Sequence, residues 1–75
     1  MKKQSIESLL EEIRELQEKK LLQVGRAFIP SLTSEDVLQP VDYPELEHNP
    51  HFRYEEGVLA GIHTVKAALL AFLKE

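Results

Sequence analysis

The chain has 75 residues, no cysteine and a formal net charge of −4 at pH 7. This length supports one small domain with a thin core, and the lack of cysteine excludes a disulfide framework, a thiolate metal site and a cysteine nucleophile. Nucleic-acid binding favours a basic face, so the negative charge argues against such a partner. The N-terminal residues have no apolar signal-peptide core, and we expect a cytoplasmic protein.

The negative charge is concentrated in the middle of the chain. Residues 27–52 contain no lysine or arginine. Their acidic residues are Glu35, Asp36, Asp42, Glu45 and Glu47. Residues 1–24 and 53–75 are each neutral, so the middle of the chain, offset only by Arg26, accounts for the whole imbalance.

The first third of the chain has the periodicity of an amphipathic helix, which we predict over residues 5–28. Apolar residues fall on one side when they are stepped at 100° per residue. They are Ile6, Leu9, Leu10, Ile13, Leu16, Leu21, Val24 and Phe28. Ser5 is a suitable N-cap, because its hydroxyl can accept from a first-turn N–H. Pro30 ends the helix, since proline lacks an N–H and disfavours helical geometry just before it.

Residues 29–49, which we call the strap, connect two predicted helices. Thr33 followed by Asp36 is a variant of the capping box and predicts one short helix, which Pro40 ends. The next segment, VDYPELEH, contains Pro44 and lacks a helical period, so we predict turn or extended structure there. Because prolines restrict the unfolded chain, they lower the cost of ordering the strap.

Asn49 and Pro50 mark the start of a second helix, predicted over residues 50–74. Asparagine is a good N-cap, and proline loses nothing at the first helical position. One broad face of this helix carries its large apolar residues, Phe52, Val58, Leu59, Ile62, Val65, Leu69, Leu70, Phe72 and Leu73. The sequence therefore predicts a single all-α domain over residues 1–75, an antiparallel helical hairpin joined by a proline-rich acidic strap.

The second helix is apolar nearly all round, which is typical of a buried or a membrane-spanning helix. We reject a membrane span, because His63, Thr64 and Lys66 interrupt an apolar run that is already short. Small scaffolds often gain a core by oligomerising, so we predict a homodimeric four-helix bundle, or a helical protein partner, packed on the small face of this helix. That face contains Gly57, Ala60, Gly61, Thr64, Ala67, Ala68 and Ala71, and the predicted interface residues are all of these except Ala67. The alternative is that the strap folds back and covers it.

The register of the hairpin places position 17 near position 63. A contact between Gln17 and His63 would form a polar layer that fixes this register. Lys20 and Lys66 interrupt the apolar faces, and we expect them to bury their aliphatic stems and extend their ammonium groups into water.

An alternative function is metal binding by the strap and the start of the second helix. Glu45 and His48 have the Glu-x-x-His spacing that di-iron bundles use on a continuous helix. His51 and Glu55 would add ligands. However, Pro50 disfavours helix at Asn49, and a solvated loop histidine beside acidic residues is far commoner than a metal ligand.

A second role for this segment is recognition of another protein. Aromatic residues and arginine beside charge are common at binding interfaces, and the predicted partner-binding residues are Asp42, Tyr43, Glu45, Glu47, Phe52, Arg53 and Tyr54. The alternative is that Phe52 and Tyr54 only cover the end of the hairpin core.

The function that the sequence predicts is non-catalytic. No phosphate-binding loop and no supported Ser-His-acid arrangement occurs, and so small a chain has little room for a substrate pocket. We therefore predict no catalytic residue and no cofactor. The expected class is a protein–protein interaction module, such as an adaptor, a small chaperone or a regulatory subunit.

Overall fold

The computed structural model describes residues 5–74, and every regular element in that range is helical. In chain order these elements are α1 (Ile6–Arg26), two 3₁₀ turns (Asp36–Leu38 and Pro40–Asp42), a one-turn helix α2 (Pro44–Glu47) and α3 (Pro50–Leu73). The two long helices pack against each other. The all-α class and the pairing of two long helices are therefore confirmed.

Local sequence sets both ends of α1. The Ser5 hydroxyl accepts from the N–H of Ser8 at 3.0 Å, which caps the first turn. At the other end, the Gly25 carbonyl accepts from the N–H groups of both Phe28 and Ile29. These bonds tighten the last turn, and the helix ends at Arg26, two residues before the predicted end.

The strap is more helical than the sequence predicts. The capping pair forms as expected, because the Thr33 N–H donates to Asp36 and the Asp36 N–H donates to the Thr33 hydroxyl. It introduces only a single 3₁₀ turn. The prediction of turn or extended structure over VDYPELEH holds at Tyr43, whose backbone is extended, but it is wrong for Pro44–Glu47, which is a turn of α-helix. Pro40 and Pro44 each begin a helical turn. Proline suits that position, where its missing N–H needs no partner.

Helix α3 begins as the sequence indicates. The side chain of Asn49 accepts from the N–H of Phe52 at 2.9 Å, and Pro50 occupies the first turn. The helix then continues without interruption to Leu73. It is long enough to pair with α1 along most of that helix.

The core lies at the end of the hairpin where the strap packs. Its buried members come from α1, the strap and α3, and they are Leu21, Leu32, Val37, Leu46 and Phe52. We call this group the strap core. Gly25 is needed at its centre, because a Cβ there would overlap the Leu32 side chain and lie 3.5 Å from the Phe52 ring. The strap therefore seals one end of the helix pair.

Polar contacts define the register between the two long helices. Gln17 donates to the carbonyl oxygen of Glu55 at 2.9 Å and to its carboxylate at 3.1 Å. Further along, Lys66 forms an ion pair with Glu11. Residue numbers fall along one helix as they rise along the other, so the helices are antiparallel. The predicted contact between Gln17 and His63 is wrong, because the side-chain amide of Gln17 donates to Glu55, eight positions before His63.

Candidate interaction site

The small face of α3 is uncovered. All six of its predicted interface positions are exposed: Gly57, Ala60, Gly61, Thr64, Ala68 and Ala71. No atom lies within 4 Å of a Cβ built on Gly57 or Gly61. The strap therefore does not cover this face, since its buried residues pack at the other side of the helix pair with Leu21 and Phe52.

A stripe of large apolar side chains is exposed along α1. Its members are Ile6, Leu9, Ile13 and Leu16. We call them the α1 stripe. They follow each other in steps of three and four residues, the spacing of a coiled-coil seam. The neighbouring Leu10 and Leu21 turn inwards and are buried. Thus α1 has two apolar sides, and only one of them is covered.

Helix α3 carries a matching stripe, which is exposed except at the half-buried Val58. It also advances in steps of four and three residues and comprises Tyr54, Val58, Gly61, Val65, Ala68 and Phe72. We call it the α3 stripe. Tyr54, Val65 and Phe72 are each more than half exposed. The stripe shares Gly61 and Ala68 with the small face and adds larger residues beside it.

A shallow apolar groove joins the two stripes. It has a volume of about 360 Å³ and is lined by Leu10, Ile13, Val58, Gly61, Ile62 and Val65. Ile13 belongs to the α1 stripe and Val58 and Val65 to the α3 stripe, so both stripes lie on the same side of the hairpin. We call this side the open face. Its central groove contains no charged side chain.

Between the helices lies a buried carboxylate that sequence reasoning missed as a structural residue. Glu55 is only 3% exposed. Its carboxylate accepts from Gln17 and lies 3.1 Å from the ammonium group of Lys20. The hydrogen bond from Gln17, followed by that from Lys20, holds the pKa of Glu55 below its usual value of 4.5. The sequence does contain a signal for this burial, because helical periodicity places Glu55 on the large apolar face of α3, between Phe52 and Leu59.

The four candidate metal ligands do not form a site. Glu45, His48 and His51 are exposed, and Glu55 is engaged by Gln17. The shortest approach among them joins His51 Nε2 and a Glu55 carboxylate oxygen at 3.8 Å. Within residues 5–74, no group of three His, Cys, Asp or Glu side chains is arranged to hold a metal ion. The continuous helix that the Glu-x-x-His spacing requires ends at Glu47.

The predicted partner-binding residues of the strap region divide into two groups. Phe52 is fully buried in the strap core, so its assignment to a binding surface is wrong and its alternative role in the hairpin core is correct. The others keep some exposure and are Asp42, Tyr43, Glu45, Glu47, Arg53 and Tyr54. Tyr43 packs partly against the strap core. Burial, followed by the nearby carboxylates of Asp36 and Asp42, raises the pKa of its phenol.

A second groove lies on the side opposite the open face, between the strap and the two helices. Its volume is about 460 Å³. Leu22, Leu38 and Leu59 contribute apolar side chains to it. Glu35 and His63 are at its edge, so His63 faces this groove rather than Gln17.

By length and composition alone, α3 could cross a membrane. It has 24 residues, and its most apolar window has a mean hydropathy of 1.4. The objection to a span that was raised from the length of the apolar run is therefore wrong, but one such helix is weak support for a span. None of its most apolar window is buried within the hairpin. The ion pair between Lys66 and Glu11 ties the middle of this helix to α1.

Comparisons with protein-family models, with curated proteins and with solved structures find no match to this chain.

Proposed function

We propose that this protein is a non-catalytic interaction module that assembles through its open face, with two copies forming a four-helix bundle. The observation that carries the proposal is the open face itself. Two helices of one hairpin direct large apolar side chains to the same side, and a groove without charge joins them. Contiguous apolar patches of this kind on soluble proteins are typical of protein–protein interfaces.

The size of the open face suits a second copy of the chain. From their exposed fractions, the large side chains of the two stripes expose on the order of 900 Å². Each partner in an interface of standard size buries about 800 Å². One hairpin stacked on another would cover this area, because both surfaces have the same length and shape. A short peptide would leave part of it in water.

The proposed interface is displaced from the one that the sequence predicts. Gly61 and Ala68 belong to both. Gly57, Ala60, Thr64 and Ala71 lie beside the α3 stripe, where small side chains permit close approach of a neighbouring helix. The large residues Val65 and Phe72 supply the apolar contact area that the small face lacks.

Assembly by the open face would leave the strap region free. The acidic strap and the adjacent Arg53 lie at the sealed end of the hairpin, whereas Tyr54 belongs to the α3 stripe. A dimer would therefore carry two acidic surfaces, which suits an adaptor, a small chaperone or a regulatory subunit that binds a partner with basic groups. Metal binding, the alternative function, has no support in the geometry of His48, His51 and Glu55.

The test is the mass of the protein in solution, measured by light scattering and by native mass spectrometry without chelator. We expect a dimer of the bare polypeptide. Ala68→Glu should convert it to a monomer, because it places a charge within the α3 stripe. Ala67→Glu is the matched control, since this neighbouring position is also exposed but points away from that stripe.

Four outcomes would contradict the proposal. If the unmodified protein is a monomer at 100 μM, the proposed dimer does not form. If Ala67→Glu and Ala68→Glu have equal effects on the mass, the interface is not at the α3 stripe. Co-sedimentation with neutral phosphatidylcholine vesicles, abolished by Ala68→Glu, would instead assign the open face to a lipid surface. A metal adduct lost in His48→Ala would favour the metal-binding alternative.

A further inference from the structure

The α3 stripe is self-complementary when it is read in opposite directions. Its six members are symmetric about residue 63, so an antiparallel copy places Tyr54 opposite Phe72, Val58 opposite Ala68 and Gly61 opposite Val65. Two aromatic residues meet at each end. In the two inner pairs, a small residue faces a β-branched one. Large residues facing small ones allow facing helices to interdigitate without voids.

The α1 stripe has the same property with a different centre. It is symmetric about residue 11, so an antiparallel copy places Ile6 opposite Leu16 and Leu9 opposite Ile13. Each is an aliphatic pair of similar volume. Both helices of the hairpin are therefore suited to pair with their own copies in the opposite direction.

The two centres lie at one level of the hairpin. Gln17 contacts Glu55, and Glu11 contacts Lys66, so residue 11 of α1 lies level with residues 61–66 of α3. Residue 63 falls inside that range. A single two-fold axis, perpendicular to the helices at this level, would pair α1 with α1 and α3 with α3 at once. Closed two-fold symmetry is the commonest arrangement of homo-oligomers.

We infer that the second copy packs on the open face about this perpendicular two-fold axis, with both helix pairs antiparallel. The inference rests on the proposed function, since it specifies the orientation of the proposed dimer. The central groove lies at the axis, and its open space above Gly61 receives Val65 of the second copy. The competing two-fold axis, parallel to the helices, would instead place α1 on α3 of the second copy.

Engineered disulfides distinguish these orientations, because the chain has no cysteine of its own. Val58→Cys combined with Ala68→Cys should give a covalent dimer under mild oxidation. The two positions are about 15 Å apart along one helix, so they cannot form a disulfide within one chain. Ile6→Cys with Leu16→Cys has the same separation and should give the same result for α1.

Two control variants complete the experiment. Val58→Cys with Ala67→Cys should give no covalent dimer, because Ala67 points away from the stripe. Leu16→Cys with Val58→Cys tests the competing orientation, in which these positions meet between copies. We expect the covalent dimer to form several-fold faster in the two antiparallel pairs than in either control; an intrachain disulfide between positions 16 and 58 leaves the monomer mass and is not counted.

The outcomes separate this inference from the proposed function. If the uncrosslinked protein is a dimer by mass but only Leu16→Cys with Val58→Cys is covalently linked, the antiparallel orientation is wrong and the interaction module stands. A dimer in which none of the stripe pairs reacts would also overturn the inference. A monomer by mass would overturn the proposed function first.

Discussion

The two ends of the hairpin differ in how much of the apolar surface of α1 and α3 is buried. At the strap end, Leu21, Leu32, Leu46 and Phe52 are almost fully buried. Toward the other end, Leu10 is the only large apolar residue in the described part of α1 that is buried before Leu21. The difference arises because the strap supplies a third layer at one end only. A two-helix hairpin cannot bury both apolar sides of its helices, so each end needs its own cover.

The source of the cover differs between the two ends. At the strap end the cover is a segment of the same chain. Its Leu32 and Leu46 pack against Gly25 and Phe52. The open face has no equivalent segment within residues 5–74. Substitutions at the strap end should therefore change folding at every protein concentration. Those on the open face should change association.

The largest expected effect is that of Phe52→Ala. This side chain is 0% exposed, and its removal should lower the free energy of unfolding by about 3–5 kcal/mol. Phe72→Ala is the matched control, because Phe72 is 70% exposed. It should leave monomer stability within about 1 kcal/mol and weaken dimerisation. Urea denaturation at several protein concentrations measures both effects. Equal losses of unfolding free energy in the two variants at high dilution would contradict the expected difference between Phe52 and Phe72.

A smaller effect is expected from adding one methyl group at a buried glycine and at an exposed glycine. Gly25→Ala should destabilise the fold by about 1–3 kcal/mol, because the new Cβ displaces Leu32 from the strap core. Gly57→Ala adds the same group to the same type of helix in open space. It should stabilise the protein by about 0.5–1 kcal/mol through helix propensity. Thermal unfolding of the two variants should therefore show shifts of opposite sign.

The third prediction concerns the buried carboxylate between the two ends. The pKa of Glu55 is lower in the folded protein than in the unfolded chain, so its contribution to stability is present above about pH 4.5 and is lost as the pH falls below that value. Glu55→Gln should therefore reduce stability near neutral pH more than in acid. The measurement is urea denaturation between pH 3 and pH 7.

The control for this prediction is Glu12→Gln. Glu12 is exposed on α1, and its substitution should leave stability near pH 7 unchanged within about 0.5 kcal/mol. If Glu55→Gln is as stable as the unmodified protein at pH 7, the contacts of Glu55 with Gln17 and Lys20 contribute nothing, and the register must depend on the strap core alone.

The long helices are predictable from sequence because their signals are local. Apolar periodicity, the caps at Ser5 and Asn49 and the proline at position 50 act within a few residues. The second half of the strap is not predictable in this way, because a single turn of helix is too short to have a period. Proline either breaks a helix or begins a turn, and the sequence around Pro40 and Pro44 does not distinguish these two roles.

The register and the open face depend on tertiary contacts. Chain length alone predicts a contact between positions 17 and 63, but in the structure Gln17 donates to Glu55, about two helical turns earlier. On α3, periodicity assigns the large apolar residues to one face toward the first helix. The structure divides them into a covered set and the exposed α3 stripe. The spacing of that stripe is visible in the sequence, but spacing alone does not say which side the neighbouring helix covers.

The smallest expected effects are those of substitutions at the two helix N-caps, one at each end of the hairpin. Asn49 caps α3 beside the strap core, and its side chain accepts from the N–H of buried Phe52. Asn49→Ala should cost about 1 kcal/mol. Ser5→Ala removes an equivalent bond at the open end, where the first turn is exposed and can fray, so its cost should be near the lower limit of about 0.5 kcal/mol. Equal costs in urea denaturation would contradict this prediction and would mean that the first turn of α1 is held as firmly as the strap end.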